Sequence, residues 1–350
     1  MDFNVHDHAG VWVGIIENPT SAIWARRYQK PGDFELHLPV SAEILALLAD
    51  DFYITRDDAP EAMIVEHIEI KTSAEEGNYI LVSGRGTESI IGRRIVQEQT
   101  VLTGRVDAAV HRLIQENAIT PADPARALPL TMHAPDVSTA TARAQYTGTN
   151  LLDAVEEICK AYGLGFRCVG DATDEGIALR MELLRGLDRS EGQEARSPVI
   201  FSPEFENLLS SSYVMDTTNY KNVAIVAGEG EGKARKRATY GNASGMARRE
   251  IFVDARDLST NEGEISDDDY TAQLVARGAE KVAEHALSEA FDGEMDTGNT
   301  FVLDVDYTLG DIVTVENEYG IRKNVRISAI VEVWDADGYA AIPNFENVEV

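Results

Sequence analysis

The first 85 residues alternate between apolar and polar positions. Val11-Trp12-Val13-Gly14-Ile15-Ile16 and Ala22–Tyr28 are strand-like runs, and Pro31-Gly32-Asp33 is a turn signal. Phe34, Leu36 and Leu38 then alternate with Glu35 and His37, which predicts a hairpin with one buried face. Ser41 is placed to cap a short helix through Ala49, with Ile44, Leu45, Leu47 and Leu48 as its apolar side. Glu61–Lys71 predicts a further strand, with Ile64, Ile68 and Ile70 on one face and Glu69 and Lys71 on the other. Glu75-Glu76-Gly77-Asn78 is expected to turn the chain into Tyr79–Ser83.

The period changes after about residue 100. Thr103 precedes a helical pattern in which Val106, Ala109, Val110, Leu113 and Ile114 recur at i, i+3, i+4, i+7 and i+8. Residues 118–148 are rich in Pro, Gly, Ala and Thr and predict a long connector. Asn150 opens a second helix, with Asp153 at the capping-box position and Leu151, Leu152, Val155, Ile158, Cys159 and Tyr162 as its stripe. Gly163 stands where a helix-ending glycine belongs. Strands are expected at Leu164–Val169 and Ile177–Leu184.

From Pro198 strands resume at Val199–Ser202, Leu208–Met215, Val223–Ala227 and Arg249–Val253. Ser266 caps one helix with Asp267, Asp268 and Asp269 in its first turn, where carboxylates suit the helix dipole. Leu274, Val282, Ala286 and Ala290 continue its buried stripe. Near the end, Val325, Ile327, Ala329, Val331 and Val333 point one way and Arg326, Ser328 and Glu332 the other. The expected fold class is α+β, with two β-barrel-like modules and an inserted small α/β domain. The expected divisions are 1–100 (first β-rich module), 101–198 (inserted domain) and 199–350 (second β-rich module with one long helix).

Charge narrows the function. The chain has 350 residues, with 31 Lys and Arg against 60 Asp and Glu, a formal charge of −29. So acidic a chain lacks the basic footprint of a conventional nucleic-acid binder and is unsuited to anionic membrane. The apolar run Ile44–Ala49 is far short of the roughly 20 residues a span needs, so no membrane-spanning segment is expected. The N-terminus has no basic region followed by an apolar one, so no secretory signal is expected. Cys159 and Cys168 read as small core hydrophobes in a reducing compartment, with a disulfide between them as the alternative.

Candidate chemistry is sparse. His6-Asp7-His8 puts two imidazoles on one face of an extended chain, but no further ligand is marked, and a solvated end is the expectation. Gly228-Glu229-Gly230-Glu231-Gly232-Lys233 resembles a phosphate loop only superficially: Ala227 stands where the first glycine belongs and Ala234 where Ser or Thr is needed. A flexible hairpin tip is expected there. Lys233, Arg235, Lys236 and Arg237 form a strong basic cluster, suited to nucleic acid or to an acidic surface on a neighbouring subunit, and the overall acidity favours the second. Residues 254–296 carry 13 acids against three basic residues, which reads as a solvated face or as a surface that must not hold a polyanion. No nucleophile elbow or HExxH occurs. No catalytic, cofactor-binding or metal residue is therefore expected, and no cofactor.

Four motifs carry a family resemblance. The run Trp24-Ala25-Arg26-Arg27-Tyr28-Gln29-Lys30-Pro31-Gly32-Asp33-Phe34-Glu35-Leu36 resembles the opening of siphophage tail-hub proteins. Gly84-Arg85-Gly86-Thr87-Glu88-Ser89-Ile90-Ile91-Gly92-Arg93-Arg94-Ile95, Asn219–Gly228, and Leu309-Gly310-Asp311-Ile312-Val313-Thr314-Val315 with the Arg326–Val333 strand are similar to later landmarks of that family. The resemblance implies a non-enzymatic structural subunit at the tip of a long phage tail, related in fold to the baseplate hub of contractile-tailed phages. It implies a homotrimer whose paired modules form a ring that continues the tail tube. The implied partners are the distal tail protein, the tape-measure protein and receptor-binding or fibre proteins. DNA would pass through the lumen without sequence-specific binding. The implied location is the virion tail tip, after synthesis in the host bacterial cytoplasm. Many such relatives carry an added hydrolase or fibre region; as this sequence stops at Val350, none is expected. Trp12, Trp24 and Trp334 are candidates for ring edges but are read as core residues. The alternative from another class is a phage-associated cell-wall hydrolase or glycan-binding adhesin.

Overall fold

In the computed structural model, which describes residues 1–73, 77–208, 210–294 and 300–348, the alternating segments become strands and the chain is mostly β. Strands from the first, middle and last thirds share one 14-stranded sheet. Its path runs Ile200–Phe201, Ile312–Glu316, Arg322–Asp335, Ser21–Arg27, Asp33–Pro39, Gly77–Gly86, Ala59–Ser73, Gly165–Ala172, Ile177–Leu184, Leu130–Met132. Arg322–Asp335 lies antiparallel to Ser21–Arg27, with Glu332 opposite Trp24. Among the described residues the two end strands of this path do not pair, so no barrel closes. Among the described residues the ladder between Ala59–Ser73 and Gly165–Ala172 is the single pair Glu61 and Val169, and Arg167 reaches Glu61 at 3.2 Å across it.

Four apolar clusters lie along this framework. Phe3, Trp24, Phe34 and Leu36 pack in the first. Helices Val106–Ile114 and Leu151–Ala161 bury Leu113 and Ile158 against Phe166 in the second. Phe201, Tyr307 and Phe345 meet in the third, near the C-terminal strands. The fourth is a separate lobe: Glu250–Asp254 and Arg237–Tyr240 flank Val223–Ala227, and helix Asp267–Ala283 covers one face with Tyr270 and Leu274.

Local signals place the helices. Asn150 Oδ1 accepts from Leu152 N at 3.0 Å, Ser266 Oγ accepts from Asp269 N at 3.1 Å, and Gly163 ends its helix at φ +64°. The helix after Ser41 runs only Ala42–Ala46 and buries none of its residues, Leu45 being exposed. The expected connector at 118–148 is built rather than loose. Thr141–Tyr146 pairs antiparallel with Thr100–Arg105, so Thr103 lies in a strand, and the next helix starts at Val106. Ala142, Ala144 and Tyr146 supply the alternation, which the low strand propensity of alanine conceals.

Two bulges change faces. One between Val65 and His67 leaves Ile70 about half exposed although Ile64 is buried. The other, between Ile327 and Ala329, moves Ile330 and Glu332 inward. The expectation that Glu332 lies on the face opposite Val325, Ile327 and Ala329 is corrected by this single inserted residue. The histidine end is solvated only in part: Asp2–His6 is a sheet strand with Phe3, Val5 and His6 buried, and His6 Nε2 lies 3.0 Å from Thr55 Oγ1, whereas His8 is exposed. The expected turn at Glu75-Glu76 and the Ala290 side chain lie outside the described residues.

Candidate functional site

The motif residues converge on joints rather than on a reaction centre. Tyr28 is fully buried where the Ser21–Arg27 hairpin meets the middle and last regions. Its hydroxyl is placed to donate to the carbonyl of Gly163 at 3.1 Å or Leu184 at 3.3 Å, and accepts from Gly186 N at 3.0 Å. Its backbone N–H donates to Ser328 O at 2.9 Å, and its carbonyl accepts from Phe166 N at 3.0 Å. Gly165 and Gly310 lie against the ring; a Cβ on either would come within 2.3 Å and 2.2 Å of ring carbons. Next to Gly310, buried Asp311 accepts from Leu187 N at 2.7 Å, Thr308 N at 3.1 Å and Arg189 Nε at 2.9 Å. The first and fourth landmarks are thus one joint.

The second landmark makes another. Glu88, wholly buried, accepts from Gly32 N at 2.9 Å and Cys168 N at 3.2 Å. Burial pushes its carboxyl up to about 7, against the amide donors that favour the charged form. The third landmark orders the lobe: Asn222 Nδ2 donates to Ala247 O at 2.8 Å, and Asn222 Oδ1 accepts from Arg249 N at 2.9 Å.

Glu332, brought inward by the bulge, anchors a buried ion network that no sequence signal marked. Arg56 Nη1 lies 3.1 Å from it, Arg26 Nε 3.4 Å, and Tyr339 OH donates to it at 3.0 Å. Arg56 sits between Trp24 and Trp334, at 5.3 Å and 4.5 Å from their ring centres. The network ties the first 60 residues to the final strands. Trp24 and Trp334 thus take part in it, whereas Trp12 is exposed.

Helix Asp267–Ala283 has two unlike faces. Its apolar face covers its own sheet, and its other face meets the middle region through charge. Arg277 Nη2 donates to Gln145 O at 2.8 Å and lies 3.1 Å from Asp257; Lys281 pairs with Glu157 at 2.8 Å and Glu284 at 2.6 Å. Burial pushes Glu280 up to about 7; the charge of Arg277 opposes this and that of Glu157 adds to it. Buried in this seam without hydrogen-bond partners among the described residues are the Gln145 amide, the Tyr146 hydroxyl, Gln273 Oε1 and Glu280 Oε2, the last facing Arg277 Nε at 3.3 Å.

An adjoining cleft of about 550 Å³ is lined by Lys30, Glu156, Glu157, Lys160, Glu284 and Glu346. Burial raises the carboxyls of Glu156 and Glu346 while nearby lysines oppose the shift. No histidine, serine or cysteine lines it beyond Ser328. Cys159 and Cys168 are free and buried, with thiols pushed well up by burial. Among the described residues no three His, Cys, Asp or Glu side chains gather in a metal-holding group, and no helix is long and apolar enough to cross a membrane.

The phosphate-loop lookalike is a tied turn. Gly228 N donates to Lys236 O at 2.9 Å, and Glu229 accepts from Thr260 Oγ1 at 2.8 Å. Two of the four basic residues find acids within the chain: Arg235 pairs with Asp254, and Lys236 with Asp267. Much of the acidic 254–296 stretch is likewise spent on internal pairs, including Asp257 with Arg277 and Asp269 with Arg143. Glu264 and Asp268 are exposed and have no cationic partner among the described residues, and Asp296 lies outside them.

The same arrangement of strands recurs in known proteins. A 43 kDa tail protein of prophage MuSo2 from Shewanella oneidensis superposes with a TM-score of 0.58 at 10% identity, covering 99% of this chain and 98% of that one. A tail protein from Neisseria meningitidis MC58 gives 0.58 at 13% identity, covering 99% and 96%. Prophage tail protein gp18 from Listeria monocytogenes EGD-e gives 0.53 at 12% identity, covering 99% and 95%. These likenesses show a phage tail-protein fold over the whole chain. No curated protein is similar in sequence. Residues 2–345 match the family described as Siphovirus ReqiPepy6 Gp37-like protein, and the chain belongs to that family.

Proposed function

We propose that this chain is a structural hub subunit of a phage tail tip, assembled as a homotrimeric ring that continues the tail tube and lets DNA pass. The single observation that carries this reading is the whole-length fold likeness to prophage tail proteins in a chain of a siphovirus family. In this reading residues 1–100 and 199–350 supply two β-rich modules, and 101–198 is the inserted domain. The distal tail protein, the tape-measure protein and receptor-binding or fibre proteins are its neighbours in the virion. It catalyses nothing: the motif residues are used in joints, and the cleft beside Lys30 only sets acids near lysines. A three-dimensional reconstruction of the tail tip tests this. A three-fold ring containing the chain is expected, and a tip ring without it overturns the reading.

The exposed acids Glu264 and Asp268 are placed toward the lumen in this proposal, where they discourage phosphate contacts. Glu264→Lys with Asp268→Lys is expected to slow DNA ejection while tails still assemble. A zymogram on host cell wall tests the cell-wall hydrolase reading and is expected to show no clearing.

A further inference from the structure

The lobe 217–256 is basic in an acidic protein. It carries eight Lys and Arg against four Asp and Glu, whereas the whole chain stands at −29. Its three-stranded sheet has helix Asp267–Ala283 on one face. On the other face Ile225 lies opposite Phe252 and Thr239, and Phe252 is 59% exposed. Arg235 lies over Phe252 at 5.9 Å, and Met246, in the loop at the other end of the sheet from the 228–236 turn, is 98% exposed. Lys221, Lys233, Arg237 and Arg249 have no acidic partner among the described residues.

The complementary surface lies elsewhere on the same chain. Among the described residues strand Trp12–Glu17 pairs with Asp2–His6 on one side only, leaving its other edge open past the contact of Trp12 N with Glu175 O. Trp12 is 51% exposed, and Val11, Val13 and Ile15 are exposed beside it. Glu17, Asp57, Asp174 and Glu175 surround this edge, exposed and without cationic partners among the described residues. An open apolar strand edge is a template for pairing with another chain, and natural monomers usually blunt it.

We propose that the outer face of the basic lobe of one copy docks on the acidic Trp12 edge of the next copy. The two patches differ from each other, so the contact is head-to-tail, which closes into a ring rather than a two-fold dimer. This rests on the ring reading above and names the surfaces that make it. Charge complementarity selects the second copy as occupant. Nucleic acid fits the lobe less well, because Glu231, Glu250 and Asp254 are interspersed with exposed Phe252 and Met246.

The test is a charge-swap cycle on the full chain, read by native mass spectrometry of the purified protein and by incorporation into tails. Lys233→Glu with Arg237→Glu is expected to weaken self-association about tenfold or more, and Asp174→Lys with Glu175→Lys equally. Combining all four is expected to restore it to within about threefold of the wild type. Two losses without restoration, or no loss in either, overturn the proposal while leaving a ring built through other surfaces. A wild-type chain that stays single in tails as well as in solution overturns the ring reading itself. Duplex DNA binding abolished by Lys233→Glu with Arg237→Glu, with self-association unchanged, assigns the lobe to nucleic acid and also overturns the proposal.

Discussion

The Tyr28 joint and the seam under helix Asp267–Ala283 both fasten a flanking region to the middle of the chain, by opposite means. At Tyr28 a large ring fills the space left by two glycines, and the hydroxyl and both backbone groups have partners. At the seam, charged and amide groups are desolvated, and several polar atoms lack partners among the described residues. A filled, satisfied joint resists opening, because separating it exposes apolar surface and breaks hydrogen bonds. A half-satisfied polar seam gains water contacts when it opens, so it holds with less free energy. The difference teaches where this molecule is welded and where it is merely latched.

The largest expected effect comes from breaking the weld. Tyr28→Ala should cost about 4 kcal/mol in urea unfolding, and Tyr28→Phe about 1 kcal/mol, since the ring matters more than its hydroxyl. An equal cost for both would mean the hydroxyl carries the joint. Glu332→Ala, which removes the carboxylate shared by buried Arg26 and Arg56 and leaves them only Asp304 and Asp58, is expected to cost about 3 kcal/mol by the same measurement.

The latch is expected to respond to pH. Unfolded Glu280 ionises near 4.5, and in the native seam it holds its proton to about 7. The native state therefore binds more protons across that window, so stability falls as pH rises through it and levels off above. The loss is on the order of 3 kcal/mol, and Glu88 contributes in the same direction from its own joint. Glu280→Gln is expected to recover about 2 kcal/mol at pH 8 and to flatten the pH dependence. Hydrogen exchange, corrected for its intrinsic pH dependence, should slow in 267–283 for that variant and around Gly32 and Cys168 for Glu88→Gln. The smallest effect belongs to the rim: Arg143→Ala removes an exposed pair with Asp269 and should change stability by under about 0.5 kcal/mol.

Strand and helix positions could be read wherever the period was clean. Val223–Ala227 and Ile177–Leu184 fall where expected, and so do the Asn150 and Ser266 caps. Alternation fails at a bulge, because one unpaired residue inverts every later side chain; Glu332 changes faces for that reason. Thr141–Tyr146 was missed because alanine and glutamine give no strand signal, although pairing with Thr100–Arg105 supplies the stabilisation. The four landmark motifs pointed to the family, yet which residues touch was not readable. Tyr28 and Gly310, or Arg56 and Glu332, meet only through the tertiary fold.

The pairing of Ser21–Arg27 with Arg322–Asp335 also dictates when the protein can mature. Arg56 and Glu332 are 276 residues apart, so at bacterial translation speeds the arginine emerges from the ribosome roughly 15 to 60 s before its carboxylate exists. Until then the hairpin that begins the sheet has a naked flank, and only a chain grown past Asp335 can cover it. Products that stop before Arg322 are thereby barred from completing this sheet.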